Sequence, residues 1–282
     1  MGDIQTLDWV DPDRRSYVRD GIAWVPVKKG FSFEREIPDR HSYDGRGFFM
    51  LGDVAVIHGK KPDPQEIEEI VRFRHPRGVV WIEALEDITR TPRTELLRGD
   101  AGEVRHRENG YTYLLDPQKV MFSQGNRLEK QRMAALIRKS PAGSRVADMF
   151  AGIGYFTIPM AGSGARVHAM EINPVAFGYL KRNIAENNLL DLVEPSCGDC
   201  RNLLTGDYDR VVMGHFDAVT MLAPVFSHVS AGSVLHVHSI GDVSDKIRDA
   251  AKSAGFCASI EVHKVKKYRP YTWHLVQDVT LS

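Results

Sequence analysis

The stretch from Arg145 to Asn173 constrains the fold more than any other part of the chain. It begins with a strand-like apolar run, reaches the small-residue turn Ala151-Gly152-Ile153-Gly154, and continues into a helical pattern. A second strand-like run then ends on Glu171, seventeen residues after Gly154. Strand, turn, helix and strand predict a βαβ unit, and the acid at the second strand tip is placed to accept the ribose hydroxyls of a nucleoside.

Two kinds of nucleotide ligand compete for such a unit. A dinucleotide site has a third glycine three residues after the second, so that the first helix offers its N-terminus to a pyrophosphate. This chain has Thr157 at that position, and Asp148 stands just before the turn. Both residues argue against a pyrophosphate and favour a cationic nucleoside without phosphates, such as S-adenosylmethionine. An α/β turn without any ligand is the remaining alternative.

A pair of cysteines surrounds a third candidate acid. Asp199 follows an apolar run that predicts a third strand, so we assign Asp199 and Cys200 to the adenine end of the nucleoside site. Cys197 and Cys200 also form a Cys-x-x-Cys pair, but a second ligand pair is missing and Cys257 is remote in sequence. The spacing therefore favours a structural or ligand-adjacent role over zinc, and we expect no metal.

Length and charge limit the remaining classes of protein. With 282 residues and 43% hydrophobic content, the chain can form one large and one smaller domain. Its formal net charge is zero, so a polyanion must be bound by local patches. No apolar run approaches the roughly 20 residues that span a bilayer, and the N-terminus lacks a signal-peptide pattern. We expect a cytoplasmic protein with reduced thiols and no membrane partner.

Two basic segments are candidate RNA surfaces. The segment 89–113 contains Arg90, Arg93, Arg98, Arg105 and Arg107, and its Glu-Asn-Gly turn predicts a hairpin. Arginine forks suit phosphate, but a solvated hairpin with Glu95, Glu103 and Glu108 as partners is about equally compatible. The segment 264–273 interleaves basic and aromatic residues, and its alternative is a solvated edge hairpin.

The remaining pattern completes an α/β sheet. Ser123 and Asn126 can each cap a helix that leads into the nucleoside site, although an ordinary amphipathic helix is the alternative. Helical patterns at 217–229 and 242–254 alternate with strands. His236 and His238 face the same side of one strand, and we interpret them as core or edge histidines because no acidic partner is spaced with them.

Several motifs carry a family resemblance over about residues 80–282. They are LLRGD, the run LDPQKVMFSQGNRLEKQR, the block ADMFAGIGYF, and the short motifs EINP, GDCR and DRVVMG. Together they resemble the archaeal and eukaryotic wybutosine-synthesising tRNA aminocarboxypropyltransferases. The archaeal-type tRNA guanine-N1 methyltransferases acting at position 37 share that fold but carry Asn-Leu-Pro at the fourth strand tip, where this chain has Met213-Gly214.

The resemblance implies a fold and a domain division. The expected fold class is α/β, class I methyltransferase-like (Rossmann-like), with a mostly parallel seven-stranded sheet and a smaller N-terminal α+β domain. Residues 1–118 would form the tRNA-contacting domain, and 119–282 the S-adenosylmethionine-binding catalytic domain.

The resemblance also implies site residues. Cofactor contacts are expected from Ser123, Lys130, Asp148, Phe150, Gly152, Glu171, Ile172, Asp199, Cys200 and Met213. Family members often carry Asn at position 200, so only the backbone contact of Cys200 carries over. Glu129 falls on the proton-accepting glutamate of the similar methyltransferases, and Arg90 lies near their base-stabilising arginine. These two are the expected catalytic residues.

The implied reaction is substitution at a carbon bound to the sulfonium of S-adenosylmethionine. Attack at the γ-carbon transfers the 3-amino-3-carboxypropyl group to C7 of 4-demethylwyosine at position 37 of tRNA(Phe) and releases methylthioadenosine, a step of wybutosine biosynthesis. The first alternative is a guanine-37 N1-methyltransferase, and the second is a catalytically silent tRNA-binding module. The expected partner is the anticodon loop of tRNA(Phe), with the target base extruded and the enzyme acting as a monomer.

Overall fold

The computed structural model describes residues 7–14, 16–19, 22–34 and 43–282. The chain divides into two units, Met1–Asp44 and Gly45–Ser282. In the first unit, strand β1 (Tyr17–Arg19) pairs antiparallel with strand β2 (Ile22–Trp24). Every residue of the candidate site described below belongs to the second unit.

A four-stranded sheet forms the N-terminal part of the second unit. Its strands, in spatial order, are β3 (Phe49–Leu51), β4 (Val54–His58), β5 (Gly78–Glu86) and β6 (Thr91–Gly99). Helix α1 (Pro64–Arg74) connects β4 to β5, which pair in parallel. Pro64 stands in the first turn of α1, as predicted, because the missing N–H of proline is not needed there.

The predicted basic hairpin is confirmed. Strand β7 (Val104–Glu108) pairs antiparallel with strand β8 (Tyr111–Leu115). Asn109 and Gly110 connect them with φ angles of 53° and 87°, the left-handed conformation that a two-residue hairpin turn requires.

A seven-stranded sheet forms the rest of the unit. Its strands in chain order are β9 (Arg145–Asp148), β10 (Arg166–Glu171), β11 (Val193–Cys197), β12 (Arg210–Met213), β13 (Val234–Ile240), β14 (Ala258–Arg269) and β15 (Thr272–Leu281). The spatial order is β11-β10-β9-β12-β13-β15-β14. The first five strands pair in parallel, and β15 pairs antiparallel with both of its neighbours. The mostly parallel seven-stranded sheet and the smaller α+β part are therefore confirmed.

Helices cover both faces of the large sheet. They are α2 (Arg127–Arg138), α3 (Thr157–Ala161), α4 (Pro174–Glu186), α5 (Leu222–Val225) and α6 (Ser244–Ser253). Successive residues of each strand point to opposite faces, so Val146 packs in one apolar cluster and Ala147 in the other. The tips of β9, β10 and β12 thus lie at one edge between two packed layers.

The prediction of one continuous helix over 217–229 was wrong. This segment contains a 3-10 helix, Ala218–Met221, then α5, then a second 3-10 helix, Phe226–His228. Pro224 lies inside it, and proline cannot donate the backbone hydrogen bond that a continuous helix needs. In the described part of the chain, no helix is both long and apolar enough to cross a membrane.

The predicted boundary between residues 118 and 119 stays a prediction. Both sheets belong to the unit Gly45–Ser282. Side chains from both contribute to the cavity described next.

Candidate active site

A cavity of about 400 Å³ lies at the carboxyl ends of the parallel strands. Its walls come from the tips of β9, β10 and β12, the β5–β6 turn, the segment 120–126 and the β14–β15 hairpin. Six predicted site residues line it, namely Arg90, Ser123, Phe150, Gly152, Glu171 and Ile172. The structure therefore brings together half of the predicted set from four separate parts of the sequence.

Among the described residues that line the cavity, Glu171 is the only one with a carboxylate. The residue is 9% exposed, one carboxylate oxygen accepts the Gly152 N–H at 2.7 Å, and the other accepts the Asn173 N–H at 2.7 Å. Burial raises the pKa of Glu171, while these backbone donors oppose the increase. Each oxygen keeps further acceptor capacity, so the carboxylate can accept hydroxyl donors from a ribose.

Asp148 lies behind the cavity wall and is completely buried. The Thr157 hydroxyl donates to Asp148 Oδ2 at 2.7 Å, and the Phe150 N–H donates to Oδ1 at 3.4 Å. Burial raises the pKa of Asp148 to about 6, although both donors favour the ionised form. Thr157, which stands where a dinucleotide site has its third glycine, therefore donates a hydrogen bond to Asp148.

The turn after β9 needs glycine at Gly152. Its φ is 58°, and a Cβ there would lie 2.2 Å from the Tyr155 ring. Tyr155 in turn donates its hydroxyl to the carbonyl oxygen of Met121, so the turn and the segment 120–126 are joined. Phe150, at the start of the turn, stacks on His215 with ring centroids 5.3 Å apart.

Three more of the predicted cofactor residues, besides Asp148, lie outside the cavity. Asp199 caps a short 3-10 helix and forms an ion pair with Arg201, while Cys200 is buried, which raises the pKa of its thiol to about 11. Met213 is buried in the core, and the adjacent Gly214 reaches the cavity instead. The assignment of adenine to Asp199 and Cys200 stays a prediction.

Lys130 is also absent from the cavity wall. It is fully buried, donates to Glu108 at 2.8 Å, and places its ammonium 4.6 Å from the Phe122 ring centroid. Burial lowers the pKa of Lys130, and the Glu108 carboxylate opposes that shift. Its observed contacts tie helix α2 to the basic hairpin.

Glu129 belongs to a buried ionic network. Arg132 donates to both of its oxygens at 2.7 and 2.8 Å and also binds Asp278 at 2.5 and 3.0 Å. Asp278 accepts from His236 at 2.7 Å. Burial raises the pKa of Asp278, but the hydrogen bonds from His236 and Arg132 outweigh it and hold the pKa well below its usual range. The catalytic role of Glu129 stays a prediction, and it requires the pair with Arg132 to open.

The network also explains His236. We expected no acidic partner near this residue, yet Asp278 comes from β15, 42 residues later. Arg210 donates to the second ring nitrogen at 3.1 Å. His236 is therefore a satisfied core histidine, as the sequence interpretation proposed for other reasons.

Arg90 lines the cavity in a left-handed backbone conformation with a φ of 50°. Its guanidinium lies 5.7 Å from the Phe216 ring centroid. In the segment 89–113, three other arginines form ion pairs with carboxylates from elsewhere, namely Arg93 with Glu83 and Glu86, Arg98 with Glu68, and Arg105 with Glu186. Glu95, Glu103 and Glu108, the partners we expected, instead pair with Lys61, Arg182 and Lys130.

Several cavity residues were missed as site residues. Lys266, Tyr268 and His274 come from the segment that we expected to be an RNA surface or to flank it. His274 Nε2 lies 2.9 Å from His238 Nδ1, and burial lowers the pKa of His274 to about 4. Asn126 was also missed, and its side-chain oxygen is buried without a hydrogen-bond partner in the described part of the chain. Neither Ser123 nor Asn126 makes the predicted capping hydrogen bond.

Within the described ranges, no group of three or more histidine, cysteine, aspartate or glutamate side chains is arranged to hold a metal ion.

Comparison with known proteins gives consistent matches. Residues 104–265 match the family described as the TRM5/TYW2 methyltransferase domain. A tRNA(Phe) (4-demethylwyosine(37)-C(7)) aminocarboxypropyltransferase of Methanocaldococcus jannaschii is 35% identical over 249 residues, which are 83% of this chain and 97% of that protein.

Two crystal structures are similar in fold. TYW2 of M. jannaschii in complex with AdoMet matches with a TM-score of 0.67 and 31% identity, over 84% of this chain and 99% of that chain. The tRNA m1G37 methyltransferase of M. jannaschii matches with a TM-score of 0.72 and 27% identity, over 84% of this chain and 72% of that chain.

Proposed function

The chain belongs to the TRM5/TYW2 methyltransferase-domain family, and from this premise we propose that it is an aminocarboxypropyltransferase acting on tRNA. It transfers the 3-amino-3-carboxypropyl group of S-adenosylmethionine to C7 of 4-demethylwyosine at position 37 of tRNA(Phe). One observation carries this conclusion: the aminocarboxypropyltransferase relative is matched over 97% of its length.

The cavity residues fit a sulfonium nucleoside. Glu171 offers acceptor capacity for ribose hydroxyls, and Gly152 lets the ligand approach the backbone closely. Glu171 also gives this end of the cavity a negative charge, which suits a cationic ligand and opposes a pyrophosphate. When bound, S-adenosylmethionine supplies an electrophilic γ-carbon, and attack by C7 breaks the bond from that carbon to sulfur and releases methylthioadenosine.

The chain's own residues position the reactants. Phe150 and His215 stack beside Gly214 at the cavity wall, where a planar base can pack. Arg90 supplies a cation from the opposite sheet, beside Phe216. Attack at C7 also requires removal of the C7 proton, and we assign this step to Glu129 on condition that its pair with Arg132 opens.

The finer statements about partners are also proposals. The bound part of the substrate is the anticodon loop, whose unpaired bases can be extruded at lower cost than bases in a duplex. Arg90 and Arg107 are the phosphate-binding candidates, because the other three arginines of the segment 89–113 form ion pairs with carboxylates. We further propose a monomeric enzyme that works in the cytoplasm.

The by-product tests this function directly. The protein is incubated with S-adenosylmethionine and tRNA(Phe) carrying 4-demethylwyosine, and the nucleosides are separated by liquid chromatography with mass detection. We expect methylthioadenosine and a base enlarged by one aminocarboxypropyl group. A parallel incubation uses tRNA(Phe) with an unmodified guanosine at position 37. S-adenosylhomocysteine together with a methylated guanosine in that tRNA would support the second candidate, a methyltransferase, whose fold resembles that of the tRNA m1G37 enzyme. No product from either tRNA would contradict both enzymes.

A further inference from the structure

The hairpin between β14 and β15 extends beyond the rest of the seven-stranded sheet. β13 ends at Ile240, opposite His274, and no other described strand flanks the hairpin past this point. β13 ends at the same edge as the parallel strands β9, β10 and β12, so the hairpin projects from the edge that holds the cavity. Lys266 and Tyr268 line the cavity, whereas Tyr271 lies in the turn at the tip. The hairpin therefore leads from the cavity wall to the protein surface.

The charge of the segment 264–273 is entirely positive. It contains no acidic residue and has four cations, Lys264, Lys266, Lys267 and Arg269. In the part of the chain that the structure describes, none of the four forms an ion pair. The segment 89–113 differs in this respect, because three of its arginines are paired with carboxylates. Neighbouring cations without anions repel one another, and the phosphates of an RNA strand supply the missing charge.

The fold gives no reason for a tyrosine at position 271. Tyr271 is 100% exposed, and its ring has no contact or hydrogen bond within the described ranges. Its φ is 61°, a left-handed conformation that glycine or asparagine adopts at lower cost than tyrosine. Lysines on an edge strand discourage pairing with another sheet, but that role does not require an aromatic ring in the turn. An exposed ring beside unpaired cations is the combination that binds single-stranded nucleic acid, whose bases stack on the ring while its phosphates contact the cations.

We propose that this hairpin holds the RNA strand beside the extruded base, with Tyr271 stacked on a nucleobase next to position 37 and with Lys267 and Arg269 bound to phosphates. The proposal rests on the function proposed above and names the part of the protein that holds the anticodon loop. An extruded base leaves each of its two neighbours without a stacking partner on one side, and the Tyr271 ring replaces that partner. Tyr268 lies between the cavity and the tip, since it lines the cavity and packs edge-on against Phe216 with ring centroids 5.4 Å apart. The RNA strand can therefore follow the hairpin outward from the cavity.

The test measures binding of tRNA(Phe) to the whole chain by fluorescence anisotropy, without S-adenosylmethionine and over a range of salt concentrations. Tyr271→Gly removes the ring and introduces a residue that fits the left-handed backbone, so a loss of affinity does not come from backbone strain. Tyr271→Phe keeps the ring and is the matched control. Lys267→Ala and Arg269→Ala test the phosphate contacts. Their control is Lys252→Ala, which removes an exposed lysine from the last turn of α6, at the opposite edge of the sheet.

We expect Tyr271→Gly to weaken tRNA binding by about 5- to 150-fold, the range for one stacked base, and to leave the salt dependence unchanged because the ring carries no charge. Tyr271→Phe should bind like the wild type. Lys267→Ala and Arg269→Ala should each reduce the slope of log affinity against log salt by roughly 0.7, the value for one phosphate of a single strand, and Lys252→Ala should not. Two further tRNAs lack the base on one side or the other of position 37. With one of them the wild type should bind as weakly as Tyr271→Gly, and the variant should lose nothing more.

Three results would overturn the proposal. The first is wild-type tRNA affinity in Tyr271→Gly. The second is a loss in Tyr271→Gly that is equally large on the intact tRNA and on both tRNAs that lack a neighbouring base, because the ring then stacks on neither neighbour. The third is a larger mass for the wild type than for Tyr271→Gly in light scattering, which assigns the ring to an interface between two copies of the chain. The proposed function is judged separately by the wild-type by-product, because neither the donor nor turnover enters the binding measurement.

Discussion

Replacing Thr157 with valine tests Asp148, the buried acid behind the cavity wall. Thr157 and Asp148 are both completely buried, and the Thr157 hydroxyl donates to Asp148 Oδ2 at 2.7 Å. Valine keeps the shape of threonine and removes only the donor. Burial raises the pKa of Asp148 to about 6. The hydrogen bond that valine removes is therefore accepted by an ionised carboxylate above about pH 6 and by a neutral carboxyl group below it.

The expected cost of Thr157→Val therefore depends on pH. A hydrogen bond to a charged group contributes about 1.5–3 kcal/mol to the free energy of unfolding, and a neutral one about 1 kcal/mol. We expect the larger cost at about pH 8 and the smaller at about pH 5. The sign follows from the raised pKa of Asp148: the folded wild type holds its proton up to about pH 6, and removing a donor to the carboxylate raises the pKa further.

Urea unfolding followed by tryptophan fluorescence measures this cost at both pH values. Thr157→Ser is the matched control, because it keeps the hydroxyl and loses one buried methyl group, a cost of about 1 kcal/mol that does not depend on pH. The reasoning is refuted if valine costs the same at both pH values, or less at the higher one.

Four further outcomes are expected. Glu171→Gln should weaken S-adenosylmethionine and methylthioadenosine equally, by about 10-fold or more in calorimetry, since both ligands carry the ribose; a loss confined to one ligand would contradict the ribose assignment. Glu129→Ala should lower the free energy of unfolding by about 1–3 kcal/mol through the lost ion pair. If Glu129 accepts the proton, the variant should also lose turnover while it keeps its cofactor affinity, and unchanged turnover in the folded variant would remove Glu129 from the mechanism. Arg90→Ala should weaken tRNA binding and reduce its salt slope by about one unit in filter binding, whereas Arg93→Ala, already paired with glutamates, should not; equal effects would show a non-specific charge contribution. Burial lowers the pKa of His274 to about 4 from its ordinary 6.5, so stability present above pH 6.5 should be lost as the pH falls toward 4. The urea midpoint of His274→Gln should fall less over this range, and a pH profile identical to that of the wild type would argue against His274 as the cause.

The strand tips could be predicted from sequence because parallel strands end at one edge. Asp148 and Glu171 each follow an apolar run, and their positions come from that local pattern alone. The break at Pro224 was also visible, and giving it more weight would have corrected the helix over 217–229.

Other site contacts depend on residues far apart in the chain. The partner of Arg132 is Asp278, 146 residues later, and no local spacing connects them. Lys266 follows a register shift between Lys264 and Lys266 in β14, which changes the regular alternation of side chains at that point. The basic character of the segment 264–273 was therefore predictable, but its contribution to the cavity wall was not.

Asn173 joins the tip of β10 to the β5–β6 turn at the wall of the cavity. Its N–H binds Glu171 at 2.7 Å, its side-chain oxygen caps helix α4, and its side-chain nitrogen donates to the Thr89 carbonyl oxygen at 3.3 Å, next to Arg90. If the proposed nucleoside binds at this strand tip, its effect on Asn173 would therefore reach the β5–β6 turn, which we propose faces the RNA. Binding linkage is reciprocal: if bound S-adenosylmethionine raises the affinity for tRNA by some factor, bound tRNA must raise the affinity for S-adenosylmethionine by the same factor.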